Sequence, residues 1–199
     1  MILHVIFDLG NVLIGYDYMT YLAQVAGDRA EEVADAVFRH ELWHEFDRGA
    51  LTQAQLCAEL SRQAPHLSAL IGEVLEHWES MLQPLPDSLV LLDDVLAAGY
   101  DAYVLSNYPR ESFERTLRRV NFFPKFAGGV VSYAEGVVKP EPAIYERLLD
   151  RYGLQAAECV FLDDAAVNIV GARAAGLQAI QFQNAAQARR ELRQLGVRV

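Results

Sequence analysis

Cysteine is scarce, at two residues in 199. Cys57 and Cys159 lie far apart, so neither a disulfide framework nor a cysteine-based metal site is expected. Basic residues are in deficit: 17 Lys and Arg face 27 Asp and Glu, a formal net charge of -10. Phosphate backbones and anionic lipid surfaces select basic faces, so a nucleic-acid or membrane partner is not expected. No apolar run approaches the ~20 residues of a membrane span. The apolar start, Met1 to Phe7, lacks the basic residues and small-residue cleavage site of a signal peptide. The expectation is a cytoplasmic protein, a monomer or weak homodimer.

Hydrophobic residues make up 52% of the chain and charged residues 22%, a balance that folds rather than stays disordered. Short continuous apolar runs at Leu3 to Phe7, Ala102 to Leu105, Gly129 to Val131, Cys159 to Leu162 and Ala179 to Phe182 predict strands buried on both faces. Helical patterns separate them. Leu89, Leu92 and Leu96 form one stripe, Phe113, Leu117 and Val120 a second, and Ile144, Leu148 and Tyr152 a third. Ala166 to Ala175 is a fourth helix. This alternation predicts an α/β fold, a doubly wound, Rossmann-like parallel sheet.

Residues 17–84 break the rhythm. They hold helix patterns at Tyr18 to Ala26, Ala30 to Phe46, Thr52 to Gln63 and Leu67 to Leu82, with Thr52 and Gln55 spaced as a capping box. The expected organisation is a core of residues 1–16 and 85–199 with a small all-helical domain, 17–84, inserted after the first strand.

In open α/β sheets, ligands collect beyond the carboxyl ends of the strands. The residues there are Asp8 to Asn11, Ser106 and Asn107, Lys139 before Pro140, and Asp163 and Asp164 with Asn168 one turn on. Three carboxylates on one rim repel unless compensated. Lys139 offsets one charge. A divalent cation offsets the rest, and hard oxygen ligands suit Mg²⁺. The set suits phosphoryl transfer, with Asp8 attacking phosphorus and Lys139 and the Ser106 hydroxyl holding the phosphoryl oxygens.

Phe7-Asp8-Leu9-Gly10-Asn11-Val12-Leu13, Leu105-Ser106-Asn107, Val138-Lys139-Pro140-Glu141-Pro142 and Phe161-Leu162-Asp163-Asp164 resemble, in order, the four motifs of the haloacid dehalogenase (HAD) superfamily. Their wording is similar to bacterial sugar-phosphate phosphatases of the α-D-glucose-1-phosphate phosphatase type. The Asp pair with Asn168 also resembles the phosphatase domain of soluble epoxide hydrolases. The resemblance implies a cap domain at 17–84 and an Mg²⁺-dependent phosphatase acting on a small phosphorylated metabolite, a sugar phosphate foremost. It implies Asp8 as nucleophile and metal ligand, the Gly10 carbonyl and Asp164 as further ligands, and Asp163 and Asn168 acting through metal-bound water. It also implies Ser106 and Lys139 as holders of the phosphate, with Asn107 beside it.

One position departs from the pattern. Family phosphatases carry a second Asp two residues after the nucleophile as general acid and base, and here that position is Gly10. Such help is worth about 10²–10⁴ in rate. A better leaving group, a substitute acid (Asp17 or His44) or slow turnover are the readings left open. Arg48, beside His44 in the insertion, is a further candidate for substrate contact. A metal-independent haloacid dehalogenase and a non-catalytic phosphate- or partner-binding module are the alternative functions.

Overall fold

The computed structural model describes residues 1–199. Seven strands run in chain order: β1 (His4–Phe7), β2 (Ile14–Gly15), β3 (Gln83–Pro84), β4 (Asp101–Ser106), β5 (Gly128–Val131), β6 (Cys159–Asp163) and β7 (Gln178–Gln181). Five of them form one parallel sheet in the order β5-β4-β1-β6-β7. The ends of these five strands differ from the expected ones by at most one residue, as frayed ends do.

Between β2 and β3 lie α1 (Tyr18–Val25), α2 (Ala30–Ala36), α3 (Glu41–Asp47), α4 (Gln53–Gln63) and α5 (Ser68–His77). The core then adds α6 (Pro86–Ala97), α7 (Arg110–Arg119), α8 (Ser132–Glu135), α9 (Pro142–Tyr152), α10 (Ala166–Ala174) and α11 (Ala185–Gln194). No helix is long and apolar enough to cross a membrane.

Period-two alternation divides β1 between the two faces of the sheet. Val5 and Phe7 pack with Leu91, Leu92 and Val95 of α6 and Leu192 of α11, whereas Ile6 packs with Ile144 and Leu148 of α9 and Ala172 of α10. All ten of these residues are removed from water, and the burial of each Val, Leu, Ile and Phe among them is worth ~1.5–3 kcal/mol. The central strand is therefore held from both sides, and its C-terminal end is a fixed point. The chain leaves the core and returns to it through the β2/β3 ribbon, where Ile14 pairs with Pro84 and Gly15 with Gln83.

Two helix expectations change. The pattern at Ala30 to Phe46 is not one helix. It breaks at Val37–His40, where both Val37 and Phe38 turn inward and are buried. His40 then restarts the chain as the N-cap of α3, its Nδ1 accepting from the Leu42 N–H at 3.2 Å. On α7 the expected inward Leu117 is 43% exposed. Ser112 and Thr116 face in instead, because each has a buried polar partner: Ser112 donates to Glu79 at 2.6 Å and Thr116 shares a hydrogen bond with the Tyr108 hydroxyl at 2.9 Å. The capping box on α4 is present, with Thr52 and Gln55 each bonding the other's backbone N–H. Cys159 is fully buried, and burial pushes its thiol up to about 11, so it is unreactive.

Candidate active site

The Asp8 N–H donates to Leu162 O at 2.9 Å, which continues the β1–β6 pairing by one residue. Asp8 is thereby held at the carboxyl edge of the central strand. The ends of β4 and β6 flank it and bring Ser106 and Asp163 to the same edge. One oxygen each from Asp8, Asp163 and Asp164 lie within 4.8 Å of one another. Lys139, buried with them, places Nζ 2.8 Å from Asp8 Oδ1 and 2.6 Å from Asp163 Oδ2.

Each of these groups feels the others. Burial pushes the Asp8 carboxyl up to about 7; the Lys139 charge opposes that rise and the Asp163 charge adds to it. Burial also disfavours the charged lysine, but Asp8 and Asp163 outweigh it and Lys139 stays firmly protonated. Burial raises Asp164 as well, against a hydrogen bond from Asn11. One lysine against three carboxylates leaves two negative charges when all are ionised, which one divalent cation cancels. Asp8 Oδ1 is also a buried oxygen with no well-aligned donor. The donor set therefore fits a hard divalent ion such as Mg²⁺.

Not every predicted residue has an open hand. Asp163 accepts from Lys139, from Asn168 Nδ2 at 3.0 Å and from the Ala165 N–H at 2.8 Å, so it fixes the lysine and the start of α10. Asn107 lines the cavity, but its amide is engaged with the Lys139 backbone, donating to the carbonyl at 3.0 Å and accepting from the N–H at 2.7 Å. It positions the lysine. Gly171 permits the packing behind that loop: a Cβ there would lie 2.9 Å from the Tyr145 hydroxyl and 3.0 Å from Pro140 O. Asn11, part of the first motif, has a structural task of its own. With φ +52 it makes the tight turn after β1, donates to Asp164 Oδ2 at 2.9 Å and accepts from the Tyr16 N–H. Asn is among the few non-glycine residues that enter this region readily.

The three candidates from the insertion are not in the cavity. Asp17 is exposed and caps α1, accepting from the Thr20 N–H at 3.0 Å. His44 is exposed on the outer side of α3. Arg48 is committed to Glu141, at 2.6 and 3.1 Å, and to Gly136 O. A helix turns successive residues by about 100°, so the buried face of α3 carries Trp43, Phe46 and Asp47, and its outer face carries His44.

Above Asp8 opens a cavity of about 350 Å³, in the range of small-molecule sites. Its floor is Asp8, Gly10, Asn107, Asp164 and Asn168. Its walls are aromatic: Tyr16, Tyr18, Phe38, Trp43, Trp78 and Tyr108. Five of these rings contact one another, for example Phe38 tilted against Trp43 at 4.8 Å and Trp43 edge-on to Trp78 at 5.2 Å.

Asp47 also lines this cavity. It is 8% exposed, and no protein donor engages its carboxyl group. Burial pushes that carboxyl from 3.8 up to about 8; Lys139 opposes the rise and Asp8 adds to it, with the Tyr16 and Tyr108 hydroxyls the other titratable groups near it. A carboxyl raised in the folded state stabilises the fold fully below its unfolded value and loses that contribution as pH climbs through the folded one. Stability therefore falls between about pH 4 and pH 8, with Asp8 contributing in the same sense. Asp47→Asn removes the Asp47 share. In Mg²⁺-free urea unfolding, the variant gains on the wild type by on the order of 3 kcal/mol more at pH 8 than at pH 5. A difference independent of pH would show that the carboxyl titrates normally.

Residues 2–176 match the family model described as haloacid dehalogenase-like hydrolase. The chain is 27% identical over 193 residues to a sesquiterpene phosphatase of Aspergillus oryzae, covering 96% of this chain and 94% of that protein. Its fold resembles a HAD family enzyme of Bacteroides thetaiotaomicron in complex with magnesium and inorganic phosphate. The TM-score is 0.71 at 21% identity, over 92% of this chain and 95% of the other. It also resembles an L-2-haloacid dehalogenase of Xanthobacter autotrophicus, at TM-score 0.69 and 19% identity, over 95% and 82% of the two chains.

Proposed function

The chain belongs to the haloacid dehalogenase-like hydrolases, and we propose that within this family it is an Mg²⁺-dependent phosphomonoesterase for small phosphate esters with an apolar body. The observation that carries the phosphatase reading is the charge arrangement at the strand ends, three converging carboxylates on one buried lysine. A halide-displacing site has no use for a third carboxylate beside Asp8 and Asp163, since Lys139 balances only one of the three charges.

Asp8 attacks phosphorus, forming the Asp8 Oδ–P bond as the ester P–O bond breaks. Lys139 and the Ser106 hydroxyl hold the phosphoryl oxygens, and Asp163 and Asn107 hold Lys139. Asp8, the Gly10 carbonyl and Asp164 would hold Mg²⁺, which when bound would supply the positive charge that lets one anion approach another. Water then releases phosphate from Asp8. The helical insertion acts as a cap whose aromatic face encloses the rest of the substrate.

The substrate reading moves away from the glucose-1-phosphate type. A sugar hydroxyl seeks polar partners, and the cavity walls are chiefly aromatic carbon. The sesquiterpene phosphatase relative supports the same preference. We expect kcat/KM for benzyl or isoprenyl monophosphates to exceed that for glucose 1-phosphate by at least about 10-fold, since each buried methylene is worth ~0.8 kcal/mol. The measurement is phosphate release across a panel, with and without Mg²⁺. Preference for the sugar ester would overturn the apolar reading. Halide release without metal would identify a dehalogenase, and ligand binding without turnover a non-catalytic module.

A further inference from the structure

We propose that Asp47, carried on the helical insertion, is the proton donor and acceptor that Gly10 cannot be. The inference rests on the phosphatase reading above and adds a catalytic residue to it.

Three observations place Asp47 in that role. Its carboxyl group lines the same cavity as Asp8 and has no protein donor, while every other buried acid at the site has one or an adjacent lysine. It is carried by the insertion, whereas Asp8, Gly10, Asn107, Asp164 and Asn168 come from the core, so within the cavity it stands apart from the groups assigned to phosphate and metal. It is also pinned. Ser132 at the start of α8 donates to the Asp47 carbonyl at 2.5 Å and accepts from the Tyr108 N–H at 2.9 Å. The next residue, Arg48, is clamped to Glu141, which is two residues beyond Lys139. The one after, Gly49, with φ +79, passes so close to the core that a Cβ would lie 2.8 Å from Tyr133 O. Three consecutive residues thus dock the end of α3 onto the core, and a general acid requires such fixed placement.

Burial keeps Asp47 protonated at neutral pH, ready to donate. As Asp8 bonds to phosphorus and the ester P–O bond breaks, the Asp47 proton passes to the departing oxygen, which leaves as the alcohol. In the second half, Asp47 as carboxylate takes a proton from the attacking water. The water oxygen bonds to phosphorus, the P–O bond to Asp8 breaks with its electron pair returning to the Asp8 carboxylate, and Asp47 is again protonated. Position 10 stays open for a different solution: a Cβ at Gly10 meets nothing within 4 Å.

The test is leaving-group dependence in the Mg²⁺-loaded enzyme. Asp47→Asn is expected to lose about 10²–10⁴ in kcat on benzyl phosphate, whose alkoxide needs a proton, and less than about 10-fold in phosphoenzyme formation (burst phase) on 4-nitrophenyl phosphate, whose phenolate does not. Gly10→Asp in the Asp47→Asn background is expected to recover at least 10-fold on benzyl phosphate. Equal losses on both substrates, or none, overturn the role of Asp47 while leaving the phosphatase reading intact. Wild-type protein that releases phosphate from neither ester, or releases it equally well as Asp8→Asn, overturns the phosphatase reading and this inference with it.

Discussion

Lys139→Met lowers stability by about 3–5 kcal/mol in Mg²⁺-free buffer at pH 8, the range for removing one partner from a buried ion pair. For a chain of this size the Tm falls by on the order of 10 °C. The lysine is 3% exposed and lies between Asp8 and Asp163, so no water replaces it readily. The deficit shrinks as pH falls, because carboxyls that take up protons no longer need a cation. It also shrinks when Mg²⁺ is added, because the ion supplies charge to the same cluster. Urea unfolding at two pH values, with and without Mg²⁺, reads all three effects. A variant with the wild-type midpoint at pH 8 would mean that Asp8 and Asp163 are balanced by something other than Lys139.

Asp8→Asn is the second large effect. It preserves shape and removes the attacking charge, so turnover falls by about 10⁴-fold or more, as for other deleted nucleophiles. The fold is retained, since Lys139 still pairs with Asp163 at 2.6 Å. Chelation mimics part of this loss. Without a cation the Asp8 carboxyl sits near about 7, because burial outweighs the lysine, and a large share of it is protonated and unable to attack at neutral pH. Mg²⁺ added back restores the rate. Phosphate release from 4-nitrophenyl phosphate measures both, and activity in Asp8→Asn within tenfold of wild type would falsify the nucleophile assignment.

The pairing of these effects with that of Asp47 describes a site that trades stability for chemistry. Lys139 stabilises the fold and, on the phosphatase reading, also holds the phosphate. Asp47, an unpartnered buried acid, destabilises the fold at neutral pH, and its removal is expected to give a sturdier and slower protein.

The floor of the site was legible in the sequence because it depends on strand ends. A buried parallel strand is a run of apolar residues, and the first polar residue after it stands at the sheet edge whatever else happens. Asp8, Ser106 and Asp163–Asp164 were each placed that way, and Lys139 followed from its Pro-flanked motif. The roof was not legible. Asp17, His44 and Arg48 had the right chemistry and the right neighbourhood in the chain, yet one is an N-cap, one faces outward and one is held by Glu141. Asp47 stands between Phe46 and Arg48 in the same stretch of the insertion. Its spacing from Trp43 puts it on the buried face of α3, but spacing alone does not say that this face meets a cavity rather than the core.

The sequence by itself determined the doubly wound core, the helical insertion and the row of residues at the strand ends, because hydrophobic period and turn chemistry are local. Tertiary structure alone decided which face of α3 meets Asp8, what Asn11 and Asn107 hold, and that the cavity walls are aromatic. Those outcomes depend on how the insertion seats on the core through Ser132, Glu141 and the close pass of Gly49, and contacts between residues some ninety positions apart leave no periodic mark on the chain.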